Sequence, residues 1–166
     1  MDAWFLSGSD VGITAPNRIM ADHNNDRAGT LPDRPAPALK SLERLIGRWK
    51  VTGTLFEGSI AFEWMEGGFF LVQHVDARAR SRPIRGIEYI GFDEETGTLR
   101  SHYMDDHGAN FVYTWETEGD LLRIWLGGKD STTRFEARFS PDGESFSGRW
   151  QWPGGGYAAT ATRVRG

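Results

Sequence analysis

The sequence predicts an all-β protein: a single antiparallel meander barrel of about ten strands, with a short N-terminal helix and a flexible tail before it. Three observations predict it. After Gly47 the hydrophobic period becomes two, the repeat of a half-buried strand, and it persists almost to the end of the chain. Glycine- and proline-rich turn signals interrupt that pattern about every ten residues, as in successive hairpins. Finally, Gly47-Arg48-Trp49 opens the first strand and Arg163 ends the last, a pairing that suggests a sheet closed on itself. Composition agrees. Aromatics make up 13% of the 166 residues, with seven Trp and ten Phe, and pleated surfaces pack large rings well. Twenty-one glycines suit many tight turns.

Residues 1–38 read as the tail. They hold Pro16, Pro32, Pro35 and Pro37 and the polar run Asp22-His23-Asn24-Asn25-Asp26-Arg27, too little apolar surface to offset the entropy of ordering. Trp4, Phe5 and Leu6 are an apolar exception, and Met20 offers an alternative start that leaves residues 1–19 in question. The barrel domain is expected over 39–166. Leu39, Leu42, Leu45 and Ile46 recur at helical spacing, and Gly47 supplies a stop, so a turn or two of helix should pack against one end of the barrel.

Strands are expected over 48–55, 59–66, 69–78, 85–93, 98–106, 109–117, 120–127, 131–140, 145–152 and 157–165. The turns between them include Gly67-Gly68, Glu94-Glu95-Thr96-Gly97, His107-Gly108, Glu118-Gly119, Pro141-Asp142-Gly143 and Pro153-Gly154-Gly155-Gly156. A meander of this size without covering helices should close, because closure removes both exposed edges. Turn lengths then set which residues share a face. They place Trp64 opposite Leu71, Phe62 opposite Gln73, Tyr89 opposite His102, and His102 opposite Tyr113. They further place Tyr113 opposite Ile124, Trp115 opposite Leu122, Phe139 opposite Phe146 and Phe135 opposite Trp150. Trp150 should face Ala159, and Phe146 should face Arg163. The greasy side of these pairs should point inward.

Charge and composition exclude several classes. Net charge is -4 with the signs interspersed, so nucleic acid is not an expected partner. Arg78, Arg80, Arg82 and Arg85 cluster around Pro83 in what reads as a solvated loop. With no cysteine, there are no disulfides, thiolate nucleophiles or zinc-thiolate sites. No stretch approaches the roughly 20 apolar residues of a membrane helix, and no secretory leader is evident. A cytoplasmic protein without membrane association is expected, with a homodimer left open.

Leu42-x-x-Leu45-x-Gly47-x-Trp49, Glu63-Trp64-Met65-Glu66-Gly67-Gly68-Phe69-Phe70-Leu71, and Gly91-Phe92-Asp93 with Thr96-Gly97 resemble a bacterial family of lipocalin-like (calycin) β-barrels of uncharacterised function. It is distantly similar to nitrobindins and fatty-acid-binding proteins. The resemblance covers about residues 39–165. It implies that Trp49 sits at the closed end of the barrel and that Arg163 packs across its ring, a structural role worth about 1 kcal/mol as a cation–π contact. Nitrobindins hold haem through a histidine near the C-terminus. Residues 145–166 contain none, so no cofactor is expected.

Of the four histidines, His23 lies in the tail, His107 in a turn, and His74 should face outward. His102 falls on the greasy face in a row with Tyr89 and Tyr113. It reads either as a polar anchor or acid/base group inside an apolar cavity, or as a buried histidine satisfied by tyrosine. Arg100 shares its face and is a candidate partner for a ligand carboxylate. Gln73 is a second inward polar group, and Trp64 and Trp115 supply apolar wall. Asp105-Asp106-His107 hints at a metal, but Asp and Gly are ordinary turn residues, so no metal site is expected. The leading expectation is a barrel that binds a small hydrophobic molecule, with Tyr89, Arg100, His102, Tyr113, Trp115, Trp64 and Gln73 as its site. The alternatives are an isomerase or cyclase using His102, with no further catalytic residue identified, or haem held by His102 or His74.

Overall fold

The computed structural model describes residues 30–165. Expectations for Trp4, Phe5, Leu6, Met20 and His23 lie outside the described residues. The strands all belong to one compact unit that begins at Arg34. A 3₁₀ helix, Pro37–Leu45, precedes β1 (Gly47–Gly53), β2 (Phe56–Trp64), β3 (Phe70–Ala79), β4 (Arg82–Asp93) and β5 (Thr98–Asp105). Then come β6 (Asn110–Glu118), β7 (Leu121–Leu126), β8 (Arg134–Phe139), β9 (Ser145–Trp152) and β10 (Gly155–Arg163). Every strand pairs antiparallel with its neighbours in sequence, and β1 pairs with β10, so the meander is a closed barrel. Among the described residues no helix is long and apolar enough to cross a membrane.

The faces follow the period-two pattern. In β8, Phe135, Ala137 and Phe139 are buried, while Glu136 and Arg138 are exposed. Three hairpins have the expected register: Trp64 lies opposite Leu71 and Phe62 opposite Gln73; Tyr89 lies opposite His102; Phe139 lies opposite Phe146 and Phe135 opposite Trp150. Two are displaced by two residues, which preserves the face. The β6–β7 turn centres on Gly119-Asp120, not Glu118-Gly119, so Trp115 meets Ile124 and Tyr113 meets Leu126. The β9–β10 turn needs only Pro153-Gly154, so Trp150 meets Tyr157 and Phe146 meets Ala161. Gly119 (φ 60°) and Gly154 (φ 82°) supply the left-handed residues these turns require.

One hairpin is displaced by a single residue. Asp105 Oδ1 accepts the backbone N–H groups of His107 (2.9 Å) and Ala109 (3.0 Å), and the Asp105 N–H donates to the Ala109 carbonyl (3.4 Å), so the β5–β6 turn holds three residues, Asp106 to Gly108. His102 therefore lies opposite Val112, and Ser101 takes the place opposite Tyr113. An odd shift reverses the relation between the strands' faces. Tyr113 points inward as expected, and His102, Tyr89 and Arg100 point outward.

A second difference lies at β3–β4. The arginine cluster is not a loop. The strands run on to a tight turn at Arg80 (φ 49°) and Ser81 (φ 72°), with Pro83 inside β4 opposite Arg78. The arginines are nonetheless exposed.

The helix closes one end. Leu39, Leu42 and Leu45 are buried there with Trp49, which is wholly inaccessible. Trp49 Nε1 donates to the Leu45 carbonyl (2.7 Å), and its ring meets Phe146 edge-on at 5.0 Å. Arg163 lies opposite Trp49 in the ladder, with its guanidinium 4.1 Å from the ring centroid. It also donates to the carbonyls of Ile46 (2.6 Å) and Arg44 (2.9 Å). One side chain thus ties β10, β1 and the helix together across the seam.

Candidate functional site

In a closed meander the connections alternate between the two ends. The helix enters β1 at the end that carries the connections 65–69, 94–97, 119–120 and 140–144, and Arg44 bonds the Gly119 carbonyl there (2.5 Å). The opposite end carries the connections 54–55, 80–81, 106–109, 127–133 and 153–154 and, among the described residues, has no such plug. Between them the interior encloses a cavity of about 350 Å³. Trp49, Phe139 and Phe146 pack together below it. Ten strands make a wider barrel than eight, so side chains need not fill it.

The wall is largely apolar. Val51, Ile60, Phe62, Val75, Trp115, Ile124, Phe135 and Trp150 contribute, and Phe56, Ile84 and Phe111 stand toward the unplugged end. Trp150 contacts both Phe135 (5.6 Å between centroids) and Tyr113 (5.7 Å). Two inner glycines let neighbouring groups pack closely in this wall. Gly148 lies against β8 so closely that a Cβ there would sit 2.1 Å from the Glu136 carbonyl oxygen. Gly86 is covered by the Tyr103 ring, whose hydroxyl would lie 2.5 Å from a Cβ.

Set into this wall at mid-height is a carboxylic acid. Glu88, from the middle of β4, is 4% exposed. It faces Gln73 on β3 and Tyr103 on β5 across the two ladders. Its Oε1 accepts from Ser101 Oγ and from Trp115 Nε1 (3.2 Å), and Trp115 Nε1 also reaches Ser101 Oγ (2.9 Å). Oε2 receives no donor among the described residues, yet no fully enclosed side-chain polar atom lacks a partner, so Oε2 borders open space. Loss of hydration raises the Glu88 pKa from 4.5 to about 7, with Ser101 and Trp115 pulling the other way. Burial, reinforced by the charge of Glu88, also raises the Tyr113 hydroxyl, and burial alone pushes Tyr157 up to about 12. Both phenols stay protonated and can donate.

The predicted site residues divide cleanly. Gln73, Tyr113 and Trp115 line the cavity. Trp64 is inward-facing but sits toward the helix, beside Pro35 and Gly68. Tyr89, Arg100 and His102 share a shallow depression on the outer surface with Phe70 and Val112. Arg100 there pairs with Asp93 at 3.6 Å. His74 is also on the outside, bonded to Glu63 at 2.9 Å. His107 Nε2 donates to the Pro83 carbonyl (2.6 Å). No described histidine lines the cavity.

No protein-family model matches the chain, and no curated protein does. Among solved structures, a de novo designed fluorescence-activating β-barrel is similar at 12% identity, with a TM-score of 0.44 over 75% of this chain and 97% of that one.

Sequence reasoning missed Glu88. A charged residue in an alternating strand normally marks the solvent face. The signal that reveals it is the β3–β4 register: a two-residue turn at Arg80-Ser81 puts Glu88 opposite inward-facing Gln73.

Proposed function

We propose that the protein is a lipocalin-like binding protein that takes one small, mainly apolar molecule into the barrel through the end opposite the helix. The observation that carries this reading is the 350 Å³ cavity, ring-lined and set with a few inward polar groups: Glu88, Gln73, Tyr113 and Tyr157. A preformed apolar hollow with sparse polar anchors is the usual form of a small-molecule site. The closed meander and the Trp49–Arg163 seam support the lipocalin-like assignment. A role for His102 as proton carrier, or for His102 or His74 as haem ligand inside the barrel, has no support, because both side chains lie on the outer surface.

The test is uptake of a neutral apolar fluorophore, 1-methylnaphthalene. Binding should saturate at one molecule per chain. Ala159→Phe, which places a ring inside the cavity, should abolish it while far-UV dichroism is unchanged. His102→Ala should bind as the parent does. Undiminished uptake by a folded Ala159→Phe variant overturns the reading.

A further inference from the structure

We infer that the cavity selects a lipophilic amine, whose cationic nitrogen sits against Glu88 and whose apolar body fills the ring-lined space toward the unplugged end. This rests on the binding-protein reading above and assigns its ligand class. The first support is the lining itself. Among the described residues it carries two carboxyl groups, Glu88 and Asp105, and no Lys, Arg or His. A ligand carboxylate would find no counter-charge there, and Arg100, expected to supply one, is on the outer surface.

The second support is the geometry of Glu88. Both protein donors converge on Oε1, leaving Oε2 as the acceptor facing the hollow. A buried carboxylate needs a compensating positive charge or further donors. Ser101, Gln73, Tyr103, Tyr113 and Trp115 surround it from β3, β5 and β6, and none is cationic. The titratable ones, Tyr103 and Tyr113, are held neutral by burial, with negative neighbours adding to the effect. No described residue of the lining supplies the missing charge, which leaves it to the guest. Indole and phenol faces in the wall favour a cation over an anion on the same ground.

The full chain is titrated at pH 7.5 with three probes of one shape: 1-naphthylmethylamine, 1-methylnaphthalene and 1-naphthoate. The amine should bind on the order of tenfold or more tighter than the hydrocarbon, and the carboxylate weaker than both. Glu88→Gln should bind the amine no more tightly than the hydrocarbon. Calorimetry of the parent at pH 6 in buffers of different ionisation enthalpy supplies a readout that needs no variant. Amine binding should release close to one proton, because a carboxyl titrating about 7 enters protonated and leaves ionised. Hydrocarbon that binds with no gain for the amine, or an amine preference that survives in Glu88→Gln, overturns the inference and leaves the container reading standing. Binding of none of the three overturns both.

Discussion

The buried acid of β4 makes stability depend on pH in a direction opposite to most carboxylates. Glu88 titrates at about 7 in the folded chain and near 4.5 when exposed, because burial disfavours its charged form. Below pH 4.5 both states hold the proton, and the stability linked to it is fully present. Between 4.5 and 7 the folded state keeps the proton and the unfolded state releases it, so unfolding becomes easier as pH rises. Above 7 both have lost it. Each pH unit in that window is worth 1.36 kcal/mol, so the ligand-free protein should lose about 3 kcal/mol in total. Asp93, Asp105, Glu116 and Asp142 have lowered values, so their contributions disappear in more acid solution. The assay is urea unfolding at half-unit steps from pH 4.5 to 8, for the parent and Glu88→Gln. The difference between the two curves isolates this group. It should fall with pH up to about 7 and then level. Parallel curves would refute the burial argument, and so would a parent that gains on the variant as pH rises.

Three further outcomes follow from packing. Arg163→Ala should cost about 2–4 kcal/mol in urea unfolding, since it removes the cover over Trp49 and two bonds to carbonyls. Arg163→Lys should recover less than half, because an ammonium cannot span both carbonyls and the ring, and a loss under about 1 kcal/mol in the alanine variant would contradict the seam's importance. Gly148→Ala should cost about 2 kcal/mol or more, as the obstacle is β8 backbone at 2.1 Å and not a movable side chain; a neutral result would mean the strands separate easily. Trp115→Phe removes one of the two donors to Glu88, so the carboxyl should titrate higher still, read by the carboxyl carbon shift in a pH series; a lower value would assign the main effect to something other than that bond.

The strands were legible because turn chemistry is local. Gly67-Gly68, Thr96-Gly97 and Gly143 each end a hairpin where the sequence says so, and all ten strands overlap their expected spans. The site was legible only in part, in Gln73, Tyr113 and Trp115, because facing is a cumulative property of turn lengths. The side chain of Asp105 captures two amides and adds a residue to one connection, which carries His102 and Arg100 out of the barrel. Hydrophobicity does not correct the error, since Ile87, Tyr89, Met104 and Val112 make the outer face of β4–β6 apolar too. At β3–β4 a proline suggested a loop. Pro83 is tolerated at an exposed ladder position near the strand's start, where a lost donor matters little. Without that register, nothing in the alternation brings Glu88 inside.

A carboxyl in such a place is a weakness of the barrel taken by itself. Once it ionises, no described residue of the lining matches its charge, and an apolar residue of like volume would avoid the cost altogether. Trp115 and Ser101 reduce that cost without removing it, because both act on one oxygen. The other oxygen is left toward a hollow that the rings around it do not fill. The closed end shows that the same chain can pack tightly, with Trp49, Phe139, Phe146 and the helix leucines leaving no polar side chain behind them without a partner. The contrast between a packed lower layer and an acid-bearing hollow one separates two tasks within a single sheet. The first holds the ribbon shut. On the proposed reading, the second keeps a desolvated charge available for a guest whose own charge would complete it, so that occupancy, proton release and added stability should arrive together.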